Sequence, residues 1–266
     1  MQLRADEALV IAGLCDTLEL ARALIMEGKA LYGSEKLLKP SEKIKQPELL
    51  RLKGDNNPYV SRGAYKLKKA FDVFDISCRD KACIDVGAST GGFTEIMLLN
   101  GAKSVYSIDV GFNLLDWKIR SDPRVTVMEK TNARLLKPEM FNFAPEFGAT
   151  DVSFISLKAV LPSVFDVLAV NADFIALIKP QFEAHREEVG HKGVVSDITV
   201  HERVISEICE FAKSIGKSAL NLNYSPVKGP EGNIEFLLHL KNCEAESRIT
   251  EENIARTVEE AHKKLC

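Results

Sequence analysis

Hydrophobic and polar positions follow two different rhythms along this chain. Between residues 6 and 33 the apolar residues fall at helical spacing: Ala8, Leu9, Ile11, Leu18, Ala21, Leu24 and Ile25. Gly13 and Gly28 interrupt the period, which predicts two short helices and then a turn into residues 29–33. Residues 34–53 are polar, with prolines at 40 and 47, and residues 53–58 read Lys-Gly-Asp-Asn-Asn-Pro, a linker composition. Helical spacing resumes at Val60, Ala64, Leu67, Ala70, Phe71 and Phe74. From residue 82 the rhythm changes. Short β-rich runs occur at 82–86, 104–109, 124–128, 148–152, 173–178, 218–224 and 234–240, with helical stretches such as 91–100, 157–170 and 199–215 between most of them. Alternating strands and helices predict an α/β fold with a mainly parallel sheet covered on both faces. No long helix separates the last two strands, so an antiparallel hairpin is expected at one edge, turned by Pro226 to Gly232. The expected organisation is a small α+β domain with its linker over residues 1–57 and the α/β domain over residues 58–266.

Composition narrows the class. Of 266 residues 45% are hydrophobic and 27% charged, which fits a globular protein and excludes a disordered chain, a collagen or a coiled-coil rod. Lys plus Arg is 35 against 38 Asp plus Glu, a net charge of −3, so a nucleic-acid surface has to come from local segregation of charge. Residues 29–69 supply such a segment, with eleven Lys/Arg against four Asp/Glu. It is either a solvated basic face or a nucleic-acid track. No apolar run approaches the ~18–20 residues that span a bilayer. The first seven residues are acidic where a signal peptide is basic, so a cytoplasmic protein without a membrane partner is expected. Six scattered cysteines without a C-x-x-C and five histidines without ligand spacing suggest reduced thiols and no metal.

The sharpest local signal is Cys83-Ile84-Asp85-Val86-Gly87-Ala88-Ser89-Thr90-Gly91-Gly92-Phe93-Thr94-Glu95. A hydrophobic strand runs into a glycine-rich turn that opens a helix, whose first N–H groups are unpaired. Asp109 ends the next strand, 22 residues after Gly87, the separation at which a Rossmann-type fold holds a ribose hydroxyl pair. Together these point to a nucleoside cofactor. The turn reads G-x-x-x-G-G, so the G-x-G-x-x-G spacing that cradles a pyrophosphate is missing. S-adenosylmethionine, cationic and free of phosphate, fits better than a dinucleotide.

Four further charged residues lie in compact, unusual strings: Lys66 in Val60-Ser61-Arg62-Gly63-Ala64-Tyr65-Lys66-Leu67, Asp151 in Asp151-Val152-Ser153-Phe154, Lys179 in Leu177-Ile178-Lys179-Pro180, and Glu235 in Gly232-Asn233-Ile234-Glu235-Phe236. Asp151 and Lys179 both terminate strands at the carboxyl edge, where open parallel sheets bind ligands. Singly, each would read as a structural salt bridge; jointly, beside the cofactor loop, they read as a site.

These strings, together with the glycine-rich one, resemble the TlyA-type (haemolysin A) ribosomal RNA 2′-O-methyltransferases, part of the FtsJ-like group with a Lys-Asp-Lys-Glu tetrad. The resemblance covers nearly the whole chain. It implies a Rossmann-like methyltransferase domain preceded by an S4-type RNA-binding module over residues 1 to about 57. Thr17-Leu18 stand where such modules often carry Ser-Arg. It also implies an enzyme that moves a methyl group from S-adenosylmethionine to a ribose 2′-hydroxyl of ribosomal RNA, at a cytidine. Lys179 would receive or polarise the hydroxyl proton, Asp151 would orient that lysine, and Lys66 and Glu235 would position the hydroxyl. Asp85, Gly87, Ser89, Thr90 and Gly91 would form the cofactor loop, with Asp109 on the ribose. Asn132 would meet the adenine edge, or else cap a helix. Arg4, Arg22, Lys29, Lys36, Lys39 and Arg62 would contact RNA. Two other readings stay open: a base N-methyltransferase using Asp151 and Phe154, and a non-catalytic RNA-binding ribosome assembly factor.

Overall fold

The structure, a computed structural model, describes residues 3–12, 14, 15, 17–33, 35–45, 50–52, 58–229, 232–244 and 246–265. Gly13, the linker residues 53–57 and residues 230 and 231 of the expected hairpin turn lie outside the described residues. The chain divides into two units, Met1–Pro58 and Tyr59–Cys266.

The first unit holds β1 (Leu3–Arg4), α1 (Ala5–Ile11), α2 (Leu18–Met26), β2 (Ala30–Tyr32), β3 (Glu35–Lys36), β4 (Lys43–Ile44) and β5 (Leu50–Leu52). Strand β2 lies between β3 and β5 in an antiparallel sheet, and β1 pairs with β4. Thr17 starts α2 by accepting the Leu20 N–H on its hydroxyl at 3.1 Å. Ala8, Leu9, Ala21 and Ile25 face inward with Ala5, Ala30 and Ile44. Ile11 and Leu18 share the apolar period but remain 68% and 42% exposed, because a unit this small buries only one narrow stripe of each helix.

The second unit contains α3 (Ala64–Val73), β6 (Ala82–Val86), α4 (Gly92–Leu99), β7 (Ser104–Ile108), α5 (Trp117–Arg120), β8 (Val125–Met128), β9 (Phe147–Thr150), α6 (Leu161–Val167), β10 (Asp173–Ile178), α7 (Pro180–Glu183), α8 (Ile198–Ser214), β11 (Ser218–Tyr224), β12 (Phe236–Lys241) and α9 (Glu251–Leu265). Its seven-stranded sheet has the order β11-β12-β10-β9-β6-β7-β8. Strand β12 is antiparallel to both neighbours, and the other pairings are parallel. This is the Rossmann-like methyltransferase architecture, with the antiparallel hairpin at its edge.

Period-two alternation builds the core on both faces. In β10, Phe174, Ala176 and Ile178 join Ile84, Val164, Val204 and Phe236 on one side. Ile175 and Leu177 join Leu67, Met97, Phe147 and Leu237 on the other. The expected helix over 157–170 is shorter: a 3-10 turn at Leu157–Ala159 precedes α6, and Pro162 sits in its first turn, where a missing N–H costs nothing. Helix α9 escaped the sequence reading, although Ile254, Val258 and Ala261 form a buried stripe at helical spacing. Among the described residues, no helix is long and apolar enough to cross a membrane.

Candidate active site

The connections at the carboxyl edge of the sheet bring the four charged residues together. Asp151 follows β9 and Lys179 follows β10, two adjacent parallel strands. Glu235 immediately precedes β12, and the Ile178–Phe236 register pair sets it beside the end of β10. Lys66 projects from the first turn of α3. The Lys66 ammonium lies 2.7 Å from Glu235 Oε2 and 3.0 Å from Asp151 Oδ2. The Lys179 ammonium lies 2.6 Å from Asp151 Oδ1 and donates to the Ser153 hydroxyl at 2.8 Å. The result is a continuous chain, Glu235–Lys66–Asp151–Lys179.

These groups are largely shut off from water: both lysines are 7% exposed and Glu235 is fully buried. Burial pulls the Lys66 ammonium downward, but Asp151 and Glu235 outweigh it and hold the pKa above the ordinary lysine value. Burial pushes Asp151 upward, yet Lys66 and Lys179 overcome it and keep the carboxylate below its usual range. Glu235 has a single lysine within ion-pair reach among the described residues, and burial leaves it above the usual glutamate value. Asp151, between two ammonium groups, is therefore the firmly ionised member.

Two cavities meet at this chain. One of 540 Å³ is lined by Asp109, Leu114, Asn132 and Ile155, and one of 260 Å³ by Ser61, Lys66, Thr90 and Lys179. They share Gly87, Ser89, Asp151 and Ser153. The glycine loop makes this closeness possible. Gly87 has φ +86°, and a Cβ there would stand 3.0 Å from the Asp151 carbonyl oxygen. Gly91, at φ +97°, caps α4 against Leu115, where a Cβ would come within 2.9 Å.

The cofactor residues expected from sequence separate into two sets. Gly87, Ser89, Thr90, Asp109 and Asn132 line the cavities. Asp85 and Gly91 line neither. Asp85 is fully buried beneath the loop, where its Oδ2 accepts the Thr94 N–H at 2.8 Å and the Thr94 hydroxyl at 2.7 Å. Its Oδ1 is buried with no hydrogen-bond partner among the described residues. Burial, then the Asp151 and Asp109 charges, push the Asp85 pKa up to about 7. Asp109 accepts N–H bonds from Ser89 at 2.8 Å and Gly111 at 2.7 Å, and so ties the loop to the end of β7. Asn132 caps a 3-10 turn through the Arg134 N–H at 3.0 Å and lines the larger cavity as well.

Sequence reasoning missed Ser153 and the use of Phe154 as a rim residue. Phe154 is 91% exposed at φ +61°, an unusual conformation for a bulky side chain, and its ring centroid is 5.1 Å from that of Phe182. No local pattern signals a positive φ at a phenylalanine.

The expected RNA contacts are less uniform. Arg4 and Arg22 both bind the buried Asp6 carboxylate, each at 2.9 Å, and Lys29 pairs with Glu27 at 2.7 Å. Lys36, Lys39 and Arg62 are free of ion pairs among the described residues, and Lys36, Lys39 and Arg62 are exposed. Lys66, counted in the basic window, is buried in the tetrad and contributes nothing to a surface field.

Comparison with known proteins agrees with this arrangement. Residues 59–242 match the FtsJ-like methyltransferase family. YqxC of Bacillus subtilis is 48% identical, covering 98% of this chain and 95% of its own. The 16S/23S rRNA (cytidine-2′-O)-methyltransferase TlyA of Mycobacterium tuberculosis is 39% identical, over 90% of this chain and 89% of its own. A solved structure from Streptococcus thermophilus superposes with a TM-score of 0.78 at 43% identity, covering 99% of this chain and 96% of the other. The chain belongs to the FtsJ-like methyltransferase family, among the TlyA and hemolysin A proteins.

Proposed function

We propose that this protein transfers a methyl group from S-adenosylmethionine to the 2′-hydroxyl of a cytidine ribose in ribosomal RNA. The observation that carries the reading is the Glu235–Lys66–Asp151–Lys179 chain at the junction of two cavities.

The larger cavity suits the donor. Ile108, Val110, Leu114 and Ala133 give apolar walls for an adenine, with Asn132 at its edge and Asp109 for the ribose hydroxyls. Asp85 and Asp109 place carboxyl groups at the loop without a lysine or arginine paired to them among the described residues, and one Asp85 oxygen has no partner there. A cationic ligand corrects that imbalance; a phosphorylated one aggravates it. When bound, S-adenosylmethionine supplies an electrophilic methyl group on its sulfonium.

The smaller cavity takes the acceptor ribose. The Lys179 nitrogen donates to Ser153 and is ion-paired with Asp151, and with three hydrogens on an ammonium it keeps donor capacity for the 2′-hydroxyl. At that position Lys179 takes the hydroxyl proton as a neutral amine, or as an ammonium stabilises the developing alkoxide. Lys66 pairs with both Asp151 and Glu235 and so ties the two acidic residues together on the acceptor side of the pocket. Phe154, on the rim of the larger cavity next to the shared Ser153, and Phe182 beside it offer an aromatic surface for the base attached to that ribose. Residues 1–57 act as an S4-type RNA-binding module, with Lys36 and Lys39 among its exposed cations and Arg62 beyond it. The protein works in the cytoplasm, where ribosomal RNA is found.

Incubation of the full chain with labelled donor and ribosomal RNA or subunits tests the reading. The label should map to a cytidine 2′-oxygen. Methylation of an exocyclic amine would favour a base methyltransferase in which Asp151 and Phe154 grip the base. Donor binding without turnover would favour an assembly factor.

A further inference from the structure

Two lysines outside the tetrad share one aromatic ring. The Lys69 ammonium stands 3.4 Å from the centroid of the buried Tyr224 ring, and the Lys264 ammonium 5.9 Å from the same centroid. They come from α3 and α9, and their neighbours show what is unusual about them. Lys68 pairs with Asp72 at 2.7 Å, and Lys263 pairs with Glu259 at 2.6 Å. Neither Lys69 nor Lys264 has a carboxylate within ion-pair distance among the described residues. Glu260 is the one acidic group whose field reaches both.

The arrangement disfavours the charge on Lys69, whereas the Tyr224 hydroxyl beside Lys264 holds that ammonium above the ordinary lysine value. Lys69 is half-buried, and burial together with the Lys264 charge presses its pKa down to about 8. A cation–π contact brings no full negative charge to offset the repulsion at Lys69. An anion between the two ammonium groups would remove both penalties at once.

Position selects the anion. Lys69 lies three residues after Lys66 on α3, about 4.5 Å along the helix axis. Tyr224 pairs in register with Phe236, the residue next to Glu235. The lysine pair is thus one helical turn from the acceptor cavity, on the side opposite the donor cavity's strands β7 and β8.

We propose that Lys69 and Lys264, gathered on the Tyr224 ring, form a subsite for a backbone phosphate of the acceptor RNA. The inference rests on the RNA-methylation reading and adds to it a fixed point on the strand. Phosphate contacts set the register of a nucleic acid without reading its sequence. Anchoring one phosphodiester a short distance from the tetrad would hold the target ribose over Lys179.

The test uses the full chain carrying Lys69→Gln, Lys264→Gln or both, with Lys263→Gln as a control that removes one charge from the same helix at a carboxylate-paired lysine. RNA affinity is measured against salt concentration, with the donor's Kd and the unfolding temperature recorded beside it. The double variant should lose about tenfold or more in RNA affinity. The slope of log affinity against log salt should flatten by roughly 0.7–0.9 per lysine removed. The KM for RNA should rise, the donor's Kd should not move, and Lys263→Gln should keep the wild-type slope. Wild-type affinity and slope in the double variant would overturn the proposal, as would an equal loss in the control. Should the double variant fold poorly, Lys264→Gln alone decides, because that side chain is exposed at the end of α9. Acylation of Lys69 in the wild-type protein separates sources of the anion: RNA should protect it, whereas protection by inorganic phosphate without protection by RNA would overturn the assignment. If the methyl lands on a base while the salt slope still flattens, the functional reading falls and the phosphate subsite stands.

Discussion

Lys179 and Asp151 meet across two neighbouring parallel strands, with the lysine nitrogen 2.6 Å from Asp151 Oδ1. Each residue is the first beyond its strand, so the pairing of β9 with β10 brings the two together. The lysine is ion-paired with Asp151 and donates to Ser153. What it presents to the cavity is therefore oriented by the backbone of the sheet.

Lys179→Ala should bind S-adenosylmethionine with near wild-type affinity, because Lys179 lines only the smaller of the two cavities. Methyl transfer should fall by about 10²–10⁴-fold, the range of a general-base or electrostatic contribution. Lys179→Arg should be nearly as damaging, since a guanidinium does not deprotonate and its planar fork does not fit the place of a compact ammonium. Single-turnover transfer of labelled methyl to RNA measures both. Near-normal rates in the Ala variant would remove Lys179 from the chemistry.

Asp109→Ala should weaken donor binding by about tenfold or more, the scale of one charge-assisted hydrogen-bond pair. Its carboxylate also receives the Ser89 and Gly111 N–H groups, so the variant should loosen the glycine loop as well. Calorimetric titration with S-adenosylmethionine is the measurement. Unchanged affinity would take Asp109 out of the donor site.

Phe154→Ala should lower RNA affinity by roughly 1–3 kcal/mol, the range for one base stacked on an aromatic ring. Phe154→Trp should preserve binding. Because the ring is 91% exposed, the Ala variant should unfold at the wild-type temperature. A loss of thermal stability without a loss of RNA affinity would mean that the ring serves packing.

The sheet and tetrad were legible from sequence because both depend on local signals. Apolar runs such as 173–178 have the strand period, and Asp151 and Lys179 stand at the ends of such runs, where an open parallel sheet must place them. Glu235 was singled out only by its string and the family resemblance: the expected strand 234–240 contained it, whereas β12 begins one residue after it. Other features depend on distances across the fold. Asp85 sits at the end of a signature strand and reads as a ligand residue, but its depth beneath the loop is set by Thr94, nine residues later. Arg4 and Arg22 read as free cations until the folded unit brings both to Asp6. Helix α9 has a clear stripe, yet so charged a segment masks its three core residues in a compositional scan.

The depth of Asp85 has a consequence for stability against pH. Its pKa is about 7 in the folded protein, against 3.8 for a free side chain. Below pH 3.8 the carboxyl is protonated in both states and contributes no pH dependence. Between 3.8 and about 7 the folded state keeps the proton that the unfolded state has lost, so stability falls as pH rises through that window and levels off above it. Asp85→Asn keeps an oxygen for Thr94 and never ionises. The difference in unfolding temperature, variant minus wild type, should therefore grow from pH 5 to about 7 and then stay constant. Lys66, Glu235 and the other shifted groups are present in both proteins and cancel in that difference. A saturating cationic donor should shrink the difference, because positive charge near the loop lets Asp85 ionise at lower pH. Parallel stability curves for the two proteins would show that the buried carboxyl titrates in its ordinary range.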